Sequence, residues 1–181
     1  KALIVPHAGF VYSGPIAASG YARIARWAHE ITRVVLLGPV HRVAVRGLAA
    51  PTVAAFETPL GRVALDRAAI DGLRRLPQVV HDDRPHAPEH SLEVQLPFLQ
   101  TVLGDGFRLV PLAVGDASPQ QVAEVIEQLW GGDETLIVIS SDLSHYLNHR
   151  QSSAVDRLTA QRIAALDCDL GPQEACGARA L

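Results

Sequence analysis

Histidine residues stand just after two of the short apolar runs in this sequence. His7 follows the run Ala2–Val5, and His41 follows the run Arg33–Leu37. Neutral imidazole is the commonest metal ligand among protein side chains, and it also titrates close to neutral pH. Two histidines placed just past the carboxyl ends of buried strands therefore indicate either metal binding or proton transfer.

A polar cluster containing Asp142 and His145 follows a third run, Thr135–Ile139. His90, at a predicted helix start, is a further candidate for the same rim. A single histidine at a strand end is more often a hydrogen-bonded loop residue than a ligand, but several clusters at matching strand ends favour a shared site. We expect Asp142 to orient a neighbouring histidine, and His145 or His90 to move protons.

The two cysteines are too few for a disulfide framework. Cys176 precedes Gly177 at a predicted helix start, where the helix dipole would favour a thiolate that binds metal or reacts as a redox centre. A small buried side chain would explain Cys176 equally well. Cys168 lies between Asp167 and Asp169, whose charges disfavour a thiolate, and we expect no role for it.

The order of the apolar runs predicts the elements that position these side chains. Helical patterns separate four runs that read as buried parallel strands. The strands are Ala2–Val5, Arg33–Leu37, Phe107–Val114 and Thr135–Ile139. This alternation predicts an α/β fold with a mostly parallel central sheet flanked by helices, in which ligands bind outside the carboxyl ends of the strands.

Capping signals predict where several helices begin. Ser13-Gly14-Pro15 offers a cap and a first-turn proline for the first helix, and Ser118 to Gln121 forms a capping box for a later one. Ser91 is expected to open a helix through Leu103, in which Pro97 marks either a kink or a later start. The segment Val43–Leu65 reads as short strand pieces in an excursion that could cover one side of the site.

Composition predicts one domain, residues 1–181, and excludes several classes of function. The chain lacks methionine and ends inside a helical pattern, so we expect truncation at both ends. Its formal net charge is −3 and its basic residues are scattered, which argues against a nucleic-acid partner. The apolar runs are too short for a membrane span, and we expect a cytoplasmic protein.

Six motifs, taken together and in this order, resemble the Memo family, whose bacterial members are called component B of the AmmeMemoRadiSam system. The resemblance spans nearly the whole chain. The motifs are Pro6–Gly14, Leu37–His41, Thr58–Gly61, Glu89–Phe98, Ser140–Tyr146 and Ala175–Gly177.

The resemblance implies a fold like that of the class III extradiol dioxygenases, which are non-haem iron enzymes, without implying their ring-cleaving reaction. The family pattern makes His7, His41 and Cys176 the metal ligands. It places Asp142, His145 and His90 along the pocket. Dioxygenases of this fold use a carboxylate where this pattern has a thiolate, so we expect iron or copper, with zinc as an alternative.

Three functions remain open at this point. The first is a redox metalloprotein with an extradiol-dioxygenase-like site, acting on an unknown substrate. The second is a non-catalytic module that binds a peptide or small molecule, as is described for eukaryotic relatives. The third is a metal-dependent hydrolase with His145 as general base. The family name also implies a radical-SAM protein and an AMMECR1-type protein as partners.

Overall fold

A computed structural model describes residues 1–167 and 169–181 of the chain. The prediction for Cys168 therefore lies outside the described residues. A six-stranded sheet forms the centre, in the spatial order β1-β8-β2-β7-β3-β6. Its strands are β1 (Ala2–Val5), β2 (Arg33–Pro39), β3 (Leu48–Ala50), β6 (Val79–His81), β7 (Arg108–Val114) and β8 (Thr135–Ser140).

The predicted α/β class and the mostly parallel sheet are confirmed. Strands β1, β8, β2 and β7 pair in parallel, while β3 runs antiparallel to β7 and parallel to β6. The middle strands are apolar along almost their whole length because both faces of a parallel sheet are covered. Val34 to Leu37 in β2, for example, are fully buried.

The excursion predicted for Val43–Leu65 divides into two parts. Strand β3 joins the central sheet, and β4 (Ala55–Thr58) pairs with β5 (Gly61–Ala64) as a separate antiparallel hairpin. Residues 43–45 form no strand, contrary to the strand-like pattern. The chain turns sharply at Gly47, where φ is 80°, a value that favours glycine, before β3 begins.

Among the described residues, four α-helices lie between strands in the sequence and a fifth follows β8. They are α1 (Phe10–Ile24), α2 (Arg67–Gly72), α3 (Leu96–Leu103), α4 (Pro119–Leu129) and α5 (His149–Ala164). The capping box at the start of α4 is confirmed, since the Ser118 hydroxyl accepts from the Gln121 N–H and the Gln121 side chain accepts from the Ser118 N–H. Within the described residues, no helix combines the length and apolar character needed to cross a membrane.

The predicted start of α1 at Ser13-Gly14-Pro15 is wrong, and of the two possibilities left open for α3 the later start marked by Pro97 is confirmed. Helix α1 begins at Phe10 because the carbonyl of Gly9 accepts hydrogen bonds from the N–H groups of Tyr12 and Ser13, so Pro15 lies inside the helix. Proline has no N–H, so α1 lacks one backbone hydrogen bond at Pro15, whose side chain is exposed to solvent. Helix α3 begins at Leu96, after a 3₁₀ turn at Glu93–Gln95, which puts Pro97 in the first helical turn.

Candidate metal site

The carboxyl ends of three neighbouring strands bring the predicted residues together. Strand β8 lies between β1 and β2, with Ser140 paired to Val5 and Ile139 paired to Leu37. His7, His41 and Asp142 each stand two residues beyond the end of one of these strands. Since parallel strands end at the same edge, the three residues meet at one rim.

Ser140 fixes the ring of His7, which is buried. The Nδ1 of His7 lies 2.9 Å from the Ser140 hydroxyl, and that hydroxyl donates its only proton to the carbonyl of Ser91 at 2.6 Å. The His7 Nδ1 must therefore carry the proton that it shares with Ser140. In the neutral ring this leaves a lone pair on Nε2, the atom that faces the rest of the site.

A buried glutamine that the sequence analysis missed supports the same hydroxyl. The Nε2 of Gln95 donates to the Ser140 hydroxyl at 2.8 Å and to the carbonyl of Pro6 at 3.0 Å. Its Oε1 accepts from the hydroxyl of Tyr21 at 3.0 Å, and burial raises the pKa of Tyr21 so that it remains a donor. The hydrogen bonds that run from Tyr21 through Gln95 to Ser140 hold the His7 ring at its Nδ1 edge.

Glu89 plays the equivalent role for His41. Its Oε1 accepts from the His41 ring at Nδ1 over 2.9 Å, and its Oε2 accepts from the His41 backbone N–H over 2.5 Å. The backbone N–H groups of His90 and Ser91 also donate to Oε1. Burial raises the pKa of Glu89, but these hydrogen bonds outweigh it and lower the pKa to about 2. Glu89 is therefore a buried anion that directs the Nε2 of His41 into the site.

His90 completes a cluster of three imidazoles. The ring centroids of His7 and His41 are 5.4 Å apart, and the His90 centroid lies 5.6 Å from that of His7 and 5.2 Å from that of His41. One ring nitrogen from each lies within 4.8 Å of those of the other two, a spacing that could hold a metal ion. His7 is buried in this cluster, whereas His41 and His90 are partly open to solvent.

Cys176 lies against the same cluster, although it is 169 residues from His7 in the chain. Its Sγ is 3.4 Å from the Nε2 of His7 and accepts from the backbone N–H of Asp142 at 3.2 Å. Burial raises the pKa of Cys176, but hydrogen bonds with His41 and His7 outweigh it and lower the pKa to about 6. The same bond to Cys176, together with that to Glu89, raises the pKa of His41 to about 9.

The thiolate of Cys176 therefore arises in a different way from the one predicted. Residues 176–180 form turns, and the expected helix start at Cys176 is wrong. The imidazole of His41, whose pKa is raised to about 9, and the backbone N–H of Asp142 stabilise the anion in place of a helix dipole. Gly177 fits closely here, with its N–H donating to the Ser141 hydroxyl at 2.9 Å.

Asp142 and His145 occupy different environments. The Oδ1 of Asp142 accepts from the backbone N–H groups of His7 at 2.8 Å and Ala8 at 3.1 Å, so it fixes the turn that carries His7. Its Oδ2 lies 3.8 Å from the His7 Nε2. His145 lies in an exposed loop with its ring against Tyr146, and the contacts of the described residues do not join it to the cluster. Its proposed role in proton transfer stays a prediction.

These donors fit a transition-metal ion. His7 and His41 each have Nδ1 engaged behind the ring, which leaves Nε2 as the donor atom, and Cys176 or His90 can supply a third donor. Imidazole and thiolate donors suit iron, copper and zinc better than magnesium or calcium. The fold and the site thus define an α/β protein with a candidate transition-metal centre at the carboxyl edge of its parallel sheet.

Comparison with known proteins agrees with this class. The family model described as "Memo-like protein" matches residues 1–170, and the chain belongs to the Memo family. It is 41% identical over 172 residues to a MEMO1 family protein of Ignicoccus hospitalis, covering 91% of this chain and 59% of that protein. A MEMO1 family protein of Thermotoga neapolitana is 37% identical over 173 residues, covering 93% and 62%. The family resemblance predicted from the motifs is confirmed.

The chain spans about three fifths of the length of these relatives, at 59% of the first and 60% of a Methanopyrus kandleri protein. Among solved structures, an uncharacterized protein of Escherichia coli K12, JW3007, matches 94% of this chain and 74% of its own with a TM-score of 0.57. The identity is 16%, so this match bears on the fold alone.

Proposed function

We propose that this chain binds iron or copper through His7, His41 and Cys176 and supports redox chemistry on a substrate. The observation that carries the proposal is the Sγ of Cys176, which lies 3.4 Å from the Nε2 of His7, a ring whose centroid is 5.4 Å from that of His41. Two imidazoles and a thiolate form a softer set than the two histidines and carboxylate of non-haem iron oxygenases. The bound metal would supply the site's electron-transfer capacity.

The surrounding side chains prepare the donors for this role. Ser140 and Glu89 hold the two rings by Nδ1, and the Asp142 carboxylate holds the turn that carries His7. His90 is the histidine of the cluster best placed to meet a substrate, since its side chain is 44% exposed. We propose that it accepts or delivers protons at its ring there.

Metal analysis of protein purified without oxygen tests the proposal. We expect close to one iron or copper per chain, and loss of that metal in the His7→Ala/His41→Ala double variant. A matched double variant, His29→Ala/His149→Ala, removes two exposed histidines outside the cluster and should keep the metal. Wild-type protein without metal, or a His7/His41 variant that retains it, would contradict the proposal.

Oxygen consumption over a panel of catechols and thiols then tests the redox part. We expect uptake that depends on the metal and is lost in the His7→Ala/His41→Ala variant. A loaded protein that consumes no oxygen and shows no redox response would confine the function to metal binding.

The three-histidine grouping favours one alternative, a zinc-dependent hydrolase. His7, His41 and His90 match the three-imidazole set that catalytic zinc uses together with a bound water. Stoichiometric zinc that survives the substitution Cys176→Ser would favour this alternative. Loss of the metal in Cys176→Ser would favour the redox proposal.

A further inference from the structure

A cavity adjoins the candidate metal site, and none of the proposed metal ligands lines it. It has a volume of about 340 Å³ and opens between the β4–β5 hairpin and the segment 83–96. Its walls are mainly apolar and include Phe56, Leu92 and Leu96. A cavity of this size and lining suits a small molecule with an apolar body.

The charged side chains that line this cavity are carboxylates. Glu57 and Glu93 line it with exposed carboxylates, and within the described part of the chain neither carboxylate has a hydrogen bond or ion pair. Asp83 adds a third carboxylate, which is bound by the N–H and hydroxyl of Thr52. The described lining residues include no lysine or arginine, and burial lowers the pKa of His86, the one basic side chain among them.

Glu89 separates the cavity from the metal site and is not available to an occupant. Both of its oxygens already accept hydrogen bonds, from His41 at two atoms and from the N–H groups of His90 and Ser91. A cation in the cavity would therefore meet Glu57 and Glu93, whose carboxylates are not engaged in hydrogen bonds or ion pairs with the described residues. An anion would meet repulsion from the same two groups.

We propose that this cavity is a binding site for a small amphipathic cation, such as an alkyl- or arylammonium group. The apolar body would lie against Phe56, Leu92 and Leu96, where burial removes apolar surface from water. The ammonium group would lie at the mouth between Glu57 and Glu93. The site does not depend on the metal, because none of the metal-site donors lines it.

Calorimetry with three probes of similar size tests the proposal at pH 7 and low salt. The probes are 2-phenylethylammonium, neutral 2-phenylethanol and anionic phenylacetate. Exposed ion pairs contribute about 0.2–1 kcal/mol each, so two of them should favour the ammonium over the alcohol by roughly 2- to 30-fold. Added salt should reduce this preference, and phenylacetate should bind weakest.

Substitutions assign the preference to the two carboxylates. Glu57→Gln and Glu93→Gln should each weaken binding of the ammonium probe by about 1.4- to 5-fold and leave binding of the alcohol unchanged. Glu127→Gln, which removes an exposed carboxylate on α4 outside the cavity, should change the affinity of neither probe. Ala87→Trp places a larger side chain at an exposed position of the cavity wall and should weaken the binding of both probes.

Three results would overturn the proposal. They are equal binding of ammonium and alcohol, an ammonium affinity that Glu57→Gln and Glu93→Gln leave unchanged, and the absence of saturable binding. Each measurement is made on the metal-free and the metal-loaded protein. Failure of the metal proposal would leave these results unaffected, so the two ideas are tested separately.

Discussion

The buried carboxylate of Glu89 holds His41 at two atoms at once, accepting from its backbone N–H at 2.5 Å and from its ring Nδ1 at 2.9 Å. This pairing fixes both the position of the loop after β2 and the rotation of the imidazole. It also commits Nδ1 as a donor, so that Nε2 is the atom presented to a metal. Glu89 is therefore as important to the proposed site as the ligand it holds.

Replacing Glu89 by glutamine should weaken metal binding without removing a ligand. The amide keeps one oxygen, but its NH₂ group would face donors that now bind a carboxylate. We expect metal affinity to fall about 10- to 100-fold, as for other residues that orient metal-bound histidines. Competition titration with a chelating dye measures the change. Glu93→Gln is the matched control, and equal affinities in the two variants would contradict this role.

Replacing Ser140 by alanine should release the ring of His7. The substitution removes the acceptor of the His7 Nδ1 proton and the donor to the carbonyl of Ser91, leaving buried polar groups unpaired. We expect a loss of about 1–3 kcal/mol in the free energy of unfolding. Nitrogen-15 NMR should find the Nδ1–H form of His7 dominant in the wild type and reduced in Ser140→Ala. Ser140→Thr, which keeps the hydroxyl, should retain the wild-type pattern.

The third metal donor can be identified spectroscopically. If Cys176 binds the metal, cobalt(II) substitution should give a thiolate charge-transfer band that Cys176→Ser abolishes. His90→Gln should leave that band in place. A cobalt complex without the band, together with metal loss in His90→Gln, would assign the third position to His90 instead.

A side chain at position 177 should displace the segment that carries Cys176. A Cβ added to Gly177 would lie 2.6 Å from the Cβ and 2.8 Å from the Oγ of Ser141. We expect Gly177→Ala to lower the free energy of unfolding by about 1–3 kcal/mol and to weaken metal binding. Gly106→Ala is a suitable control, because its added Cβ meets nothing within 4 Å. Urea unfolding of the two variants gives the comparison.

His86 should make stability depend on pH. Burial lowers its pKa below the ordinary value of 6.5, and its Nε2 contacts the carbonyl of Ala49 at 3.1 Å. Below pH 6.5 the unfolded chain binds a proton that the folded chain does not bind, so stability falls as pH decreases toward the folded pKa. Its contribution is fully present above pH 6.5.

The substitution His86→Phe isolates this effect. The variant should lose less stability than the wild type between pH 7 and pH 5, even if it is less stable at pH 7. Denaturant unfolding at several pH values measures both slopes. Identical slopes would show that His86 does not contribute to the pH dependence.

The sequence by itself determined the α/β class, the principal strands and the histidines at their ends. The buried strand at Val34 to Leu37 and the capping box at Ser118 depend on residues close together in the chain, so local sequence patterns predict both features well. Local patterns failed at Pro15, where the Gly9 carbonyl starts the helix earlier than the proline suggests.

Only the tertiary structure decided which groups surround the histidines. Glu89 accepts from His41 across 48 residues, and Ser140 contacts His7 across 133 residues. These pairings depend on β8 lying between β1 and β2 and on Ser91, before α3, bonding to Pro39 and Ser140, and no short-range periodicity encodes either. The sequence could thus identify candidate donors, whereas the packing of distant segments fixed their orientation and charge.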